Sequence, residues 1–388
     1  MSKIWWVRKK DLDPDQEKLV DPNKLEGKYI VTGPPGSGKS NLLILRAKAL
    51  TLVGKEDFQI LAYTQNLVRF LRSSKSVDAN KIQTAIKWLG QQLWQLTGNN
   101  IPSSNDIVTY RRAICSALAV HLRRHRMEGT IHTLLIDEFQ DYYKDELILF
   151  STLAQNVFLV GDIRQQVYKT DVDPTFLDEC KSTYEVIELK KHYRIGRKIC
   201  AFADKLAKHS KGHRKILSGC QYDETRDPQS SVIRIPKDTI DEQVEALTDL
   251  CRLHLDTFPG EFIGVMCPTN DVLDTVAPEL ERVFGDKVVV QRTGDFSDYS
   301  EDHPIIVSTI HAGKGVEYRC VHIPIAEENK YAHNRELMYT AVTRARTSVT
   351  IYHTGNLIGY LEDAIKETED EESGVIRRAP TLDDLFEE

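Results

Sequence analysis

The chain has 388 residues, 41% hydrophobic and 28% charged, the balance of a soluble protein large enough for two domains. No apolar run reaches the length of a membrane span, and the start MSKIWWVRKKDL lacks a signal-peptide apolar core, so a cytoplasmic chain is expected. The net charge of −7 is uneven: residues 361–388 hold eleven acids and three bases, net −8, which leaves residues 1–360 at +1 and neither indicates nor excludes a polyanionic partner.

In chain order, LDPDQ comes first and ends at Gln16. A glutamine amide donates and accepts at once, which suits the adenine edge, although a solvated glutamine reads the same way. A β-type run, KYIVT, then leads into GPPGSGKS and the helical LLILRAKAL. This string, Gly33, Pro34, Pro35, Gly36, Ser37, Gly38, Lys39 and Ser40, fits a phosphate-binding loop at every fixed position and has the strand and helix such a loop needs. Its glycines let successive N–H groups turn inward on a phosphate at a helix N-terminus. Lys39 is placed for the β- and γ-phosphates of ATP, and the Ser40 hydroxyl for Mg2+.

A second strand, FQILAYT, ends at Tyr63 and Thr64, and turn residues break the helical material at 98–106. From about Ile107 to Met127 a helix is expected, with Arg112, Arg123 and Arg126 on one face, either solvated or turned to nucleic acid. The apolar strand of TLLIDEFQD ends in Asp137 and Glu138. Paired with a phosphate loop, Asp137 reads as an Mg2+ ligand and Glu138 as the base that orients and deprotonates the attacking water. NVFLVGDIRQQVY follows, with Gln165 placed to sense the γ-phosphate. Apolar runs near Ile30, Ile60, Leu135 and Leu159, then near Val232, Ile263, Val289, Ile306, Val321 and Val349, alternate with helical stretches, which predicts α/β architecture with parallel sheets. The seven cysteines are scattered and never in C-x-x-C spacing, so neither a disulfide framework nor a zinc or iron–sulfur site is indicated.

Together GPPGSGKS, DEFQD and GDIRQQVY resemble the UvrD/Rep-like helicases of superfamily 1. The resemblance continues through LKKHYR (189–194), STIHAGKGVEY (308–318) and RELMYTAVTRA (335–345), with LDPDQ similar to the Q motif and AYTQN (62–66) to motif Ia. It implies two RecA-like P-loop NTPase domains with one ATP in the cleft between them: residues 1–185 with a small helical insertion at about 76–130, then 186–360, then an acidic disordered tail at 361–388. By the same resemblance Gln16 would read adenine, Tyr193 would stack on it and Glu317 would meet the ribose. Arg194 and Arg344 would act as arginine fingers beside Glu138 and Gln165, with ATP and Mg2+ as cofactors. Tyr63, Thr84 and His311 resemble strand-contacting positions, which implies an ATP-driven single-stranded DNA translocase or helicase moving 3′ to 5′.

Departures accompany the match. The accessory domains of larger relatives have little room here, because only residues 84–134 and 194–309 fill the two gaps. After Tyr168 the family's strand-gripping Trp and Arg are replaced by Lys169, Thr170 and Asp171, His192 stands where Asn is usual, and Asn41 follows the loop where Arg is common. RNA or a partner protein could therefore replace DNA. The leading expectation is a minimal motor working with a nuclease or other DNA-processing partner in repair or defence, and the alternative is a nucleotide-gated regulatory ATPase subunit. The tail, with TLDDLFEE near its end, reads as a solubilising extension, a docking peptide or an acidic mimic of the strand. Deleting 366–388 is expected to leave basal ATP hydrolysis intact.

Overall fold

The computed structural model describes residues 6, 8–99, 104, 106–125, 128–166, 168, 170–208, 214–291, 303–327, 335–370 and 376–377. The chain divides into two compact units, Met1–Lys190 and Lys191–Glu388.

The first unit is built on strands β1 (Lys28–Thr32), β2 (Phe58–Ala62), β3 (Ile82–Thr84), β4 (Ile131–Ile136), β5 (Ala154–Gly161) and β6 (Glu185–Glu188). They form one sheet in the order β3-β2-β4-β5-β1-β6, every pair parallel. Successive side chains leave a strand on opposite faces, and both faces here are apolar, as a parallel sheet covered on both sides requires. Val31, Leu135, Phe158 and Val160 pack with helices α2 (Lys39–Leu52) and α3 (Gln65–Arg72), while α1 (Pro14–Leu19) adds Leu19 to that face. Ile30, Leu134, Ile136, Val157 and Leu159 face the other way, against α4 (Ala85–Thr97), α5 (Ile107–His125), α6 (Lys144–Leu153) and α7 (Phe176–Cys180). Each such buried aliphatic side chain contributes about 1.5–3 kcal/mol relative to exposure.

The second unit carries β7 (Ser231–Pro236), β8 (Ile263–Cys267), β9 (Val288–Gln291), β10 (Ile305–Thr309), β11 (Tyr318–Ile323), β12 (Ala345–His353) and β13 (Ile376–Arg377). Their order is β13-β7-β12-β11-β8-β10-β9, again parallel throughout. Helices α9 (Ile240–Thr257) and α10 (Asn270–Phe284) cover one face with Leu247, Cys251, Leu273, Val276 and Leu280. Helices α8 (Arg197–Leu206), α11 (Arg335–Val342) and α12 (Gly359–Asp370) pack together, with α8 against β7 and β12.

Three details of the expected organisation change. A boundary at 185/186 would cut β6, a short edge strand whose sequence, EVIE, has acids at both ends and little apolar signal, yet it pairs with β1 from Tyr29↔Glu185 to Thr32↔Glu188. The insertion at 76–130 is not purely helical, because β3 extends the sheet beside β2. The folded body runs past residue 360: Leu361, Ala364 and Ile365 are buried at helical spacing in α12, and Ile376–Arg377 pairs with β7. TLDDLFEE lies outside the described residues.

Candidate active site

The phosphate-binding loop, Asp137 and Gln165 follow the carboxyl ends of β1, β4 and β5, the edge at which open parallel sheets bind ligands. Gly38 caps α2 at φ 83°, a left-handed conformation that a side chain would strain, and a Cβ there would stand 3.2 Å from Gln16 Nε2. Lys39 is buried and folds back, its Nζ donating to the carbonyls of Gly33 (2.9 Å) and Pro34 (3.0 Å). It holds the loop in shape until a phosphate competes for the ammonium. Gln16 donates from Nε2 to Ser37 O (2.9 Å) and accepts from Asp13 N (3.0 Å), tying α1 to the loop. As placed, both ends of its amide serve that tie.

The Ser40 hydroxyl donates to Asp137 Oδ2 at 2.8 Å, joining loop to β4 across 97 residues of sequence. Asp137 Oδ1 accepts from Glu138 N at 2.9 Å. Burial, and then the neighbouring Glu138 charge, push the Asp137 carboxyl up to about 7. Two hard oxygen donors this close, one a carboxylate whose burial disfavours its unpaired charge, fit Mg2+.

Glu138 takes the left-handed conformation, φ 53° and ψ 48°, which costs a non-glycine residue roughly 1–3 kcal/mol and is typical of a residue aimed by its surroundings. Its Oε2 accepts from Gln140 Nε2 at 2.5 Å, and Gln140 Oε1 in turn accepts from Asp162 N at 3.0 Å. The Gln140 carbonyl accepts from Gln166 Nε2 (3.0 Å) and from the Thr170 hydroxyl (3.2 Å). Gln140 is fully buried, and a Cβ on Gly161 would fall 2.2 Å from its Oε1, so glycine is required there. Gln165 is buried on the turn after Asp162.

In the second unit Arg194 Nη1 donates to Glu317 Oε2 at 2.6 Å. Burial pushes the Glu317 carboxyl up, but Arg194, helped by Arg344 and Arg346, outweighs it and holds the carboxyl below its usual value. The residues expected at the ribose and the γ-phosphate are thus ion-paired with each other. Arg344 is 5% exposed, and its Nε and Nη2 have no hydrogen-bond partner. Buried guanidinium donors without acceptors are costly, and an incoming anion would satisfy them. Tyr193 is 38% exposed, open enough for a planar group to stack on it.

Residues 304–352 match the family model of the UvrD-like helicase C-terminal domain, and residues 16–171 match that of an AAA domain. The two matched domains together support a UvrD-like helicase. It is an ATP-hydrolysing DNA helicase with an α/β fold of two RecA-like domains. A solved structure, the C-terminal domain of a possible DNA helicase from Lactobacillus plantarum WCFS1, aligns at 15% identity and a TM-score of 0.35 over 48% of this chain and 99% of that one. No curated protein matches the helicase. No helix of the described residues is long and apolar enough to cross a membrane.

The strand-side candidates of the helicase fall at the same kind of edge. Tyr63 follows β2 and Thr84 ends β3, and the two strands are in register at Ala62↔Thr84. Thr84 is buried at 9% exposure. Tyr63 is half-buried, with its ring 4.7 Å from Tyr168 and 5.3 Å from Tyr142, and its hydroxyl accepts from Arg111 Nη1 at 2.5 Å. Arg111 also grips both carboxylate oxygens of Glu146. His311 is exposed just after β10 in the second unit. Of the basic face on α5, Arg112 lies 5.0 Å over the Tyr143 ring and Arg123 is exposed, while Arg126 lies outside the described residues.

Thr170 and Asp171, the residues that depart from the family, have structural partners. Thr170 Oγ1 accepts from Gln166 Nε2 at 2.6 Å while donating to Gln140, and Asp171 Oδ1 caps α6 by accepting from Lys144 N at 2.8 Å. Gln140 and Arg111 were not singled out from the sequence. Gln140 had a usable signal, its place inside DEFQD, whereas Arg111 was hidden among the arginines of α5.

Proposed function

We propose that this helicase is a single-stranded DNA translocase, moving 3′ to 5′, in which ATP hydrolysis drives closure of the two units and a nuclease or other DNA-processing partner supplies the remaining chemistry. Gln140 is the observation that carries the coupling. The buried Gln140 side chain holds the proposed base Glu138 and the backbone of Asp162, and the Gln140 backbone carbonyl anchors Gln166 and Thr170 on the way to Tyr168, which touches Tyr63.

In the reaction Lys39 exchanges its loop carbonyls for phosphate oxygens, and the loop N–H groups hold the β-phosphate. Glu138 accepts a proton from water as the water oxygen bonds to the γ-phosphorus and the bridge to the β-phosphate breaks, giving ADP and phosphate. Mg2+, held by Ser40 and Asp137, would screen the charge on the phosphates. Gln165 would sense the γ-phosphate, and the unpartnered nitrogens of Arg344 make it the stronger arginine finger. Arg194 would act as the second finger after exchanging Glu317 for phosphate. That exchange would free Glu317 for the ribose, with Gln16 and Tyr193 at the base.

Directional displacement tests the proposal: streptavidin on a biotinylated 5′ end should be removed in an ATP-dependent reaction, and streptavidin on a 3′ end should not. The second reading, a nucleotide-gated regulatory subunit, is favoured by the internal bonds of Thr170 and Asp171, which leave neither side chain to grip a strand. It predicts no displacement at either end.

A further inference from the structure

The second unit brings together three soft ligands that chain order keeps apart. His192 precedes the Tyr193-Arg194 pair, Cys200 lies on α8 and Cys220 follows the turn Leu217–Gly219. Their ligand atoms all lie within 4.8 Å of one another, with 3.7 Å between Cys200 Sγ and His192 Nε2. Exposure is 0% for His192 and Cys200 and 6% for Cys220.

The backbone fixes all three segments independently. His192 and Cys220 form a parallel bridge, with His192 N donating to Gly219 O (3.0 Å) and Gln221 N donating to His192 O (2.8 Å). Asp204, one turn along α8 from Cys200, accepts from Ile216 N (2.8 Å) and Leu217 N (3.0 Å) and pins the turn to the helix. Such a cluster is held ready for an ion by parts of the fold that do not touch the ion.

We propose that His192, Cys200 and Cys220 form a structural site for a divalent transition metal of the zinc class. Donors about 2.0–2.3 Å from a tetrahedral ion stand roughly 3.3–3.8 Å from each other, which accommodates the Cys200–His192 separation. Thiolate and imidazole ligands select such an ion over Mg2+. Two thiolates also cancel its charge, so the filled site buries no net charge. The Ile195 carbonyl, 3.5 Å from Cys200 Sγ and 3.3 Å from Cys220 Sγ, lies where an oxygen could complete the shell.

Protons balance as follows. Each thiol gives one proton to solvent, and the imidazole proton moves from Nε2 to Nδ1, so that Nε2 leaves its 2.8 Å contact with Ile216 O and turns a lone pair to the ion. The absence of C-x-x-C spacing had argued against a zinc site, but the ligands converge through a strand-like bridge and a helix rather than through a knuckle. A bound ion would fix the residue next to Tyr193 and Arg194.

The test uses the untagged full chain, purified under reducing conditions, with its metal content measured by mass spectrometry. Co2+ is then titrated into the stripped protein. One equivalent of zinc per chain is expected, together with thiolate-to-cobalt charge-transfer absorption and the visible bands of a tetrahedral ion. Cys220→Ser should weaken Co2+ binding about tenfold or more. Cys180→Ser, in the first unit, should not change it. Cys200→Ser is a second probe, and since Cys200 is fully buried the rim position Cys220 decides the matter if that variant does not fold. A folded, reduced chain that gives no charge-transfer band would overturn the proposal, as would Cys220→Ser binding Co2+ like the parent.

Discussion

Glu138 is aimed by a strained backbone and by one amide, so its two supports can be tested separately. Glu138→Gln keeps the shape and removes the proposed base, and should bind ATP with parental affinity while hydrolysis falls about 10²–10⁴-fold, read by nucleotide-binding fluorescence and single-turnover hydrolysis. Parental turnover in that variant would assign the base elsewhere. Gln140→Ala leaves the proposed base in place but takes a hydrogen-bond donor from Glu138 Oε2 and an acceptor from Asp162 N–H, which costs about 1–3 kcal/mol at a buried site. It should lower kcat for DNA-stimulated hydrolysis more than it raises KM for ATP; an equal loss with and without DNA would deny Gln140 its coupling role. Lys39, Ser40, Asp137 and Glu138 stand in short local strings, and the fold brings Ser40 and Asp137 of that set within 2.8 Å of each other. Gln140 acts through three segments that meet only in space, and the His192, Cys200 and Cys220 cluster combines spacings that match no linear metal motif.

Among the elements, α12 and the pair α9–β11 make the sharpest predictions. The buried face of α12 and the bonds from Lys205 Nζ to Glu367 O (2.9 Å) and Thr368 Oγ1 (3.2 Å) tie residues 359–370 to α8. Truncation after Asp370 should therefore keep basal ATP hydrolysis, while truncation after Ile358 should lower the unfolding temperature of the second unit and reduce soluble yield. The cut at residue 366 expected from sequence falls inside the helix. His254 on α9 meets His322 on β11 at 3.1 Å, and His322 meets the Tyr352 hydroxyl at 2.7 Å. With Tyr352 donating to His322 Nδ1, His322 Nε2–H donates to His254 Nδ1 and both rings are neutral.

Burial lowers His254 from 6.5 to about 4, and burial followed by the neighbouring His254 charge holds His322 well below its usual value. The unfolded chain then takes up protons that the folded chain refuses. Stability is full above about pH 6.5 and is lost as pH falls toward 4, by about 3 kcal/mol for His254 alone. Denaturant midpoints at about pH 7.5 and about pH 5 should show a smaller loss in His254→Gln than in the parent. Equal losses would remove the pair as the source. The long strands were legible from their apolar runs, whereas β3 and β6 are short, edge-lying and polar at their ends, and α12 carries its apolar stripe inside an acidic composition.

For the whole molecule, the two domain matches indicate an ATP-hydrolysing DNA helicase, and the proposal adds that single-stranded DNA is what its cycle acts on. In the first unit the described residues between β2 and β4 form α3, β3, α4 and α5. Steady-state ATP hydrolysis, measured without nucleic acid and with single-stranded DNA, duplex DNA and single-stranded RNA, with Glu138→Gln as the blank, tests the proposal most directly. The account predicts strong stimulation by single-stranded DNA and weaker responses to duplex and RNA. Hydrolysis that ignores every nucleic acid would contradict it and would make the protein a switch read by a partner.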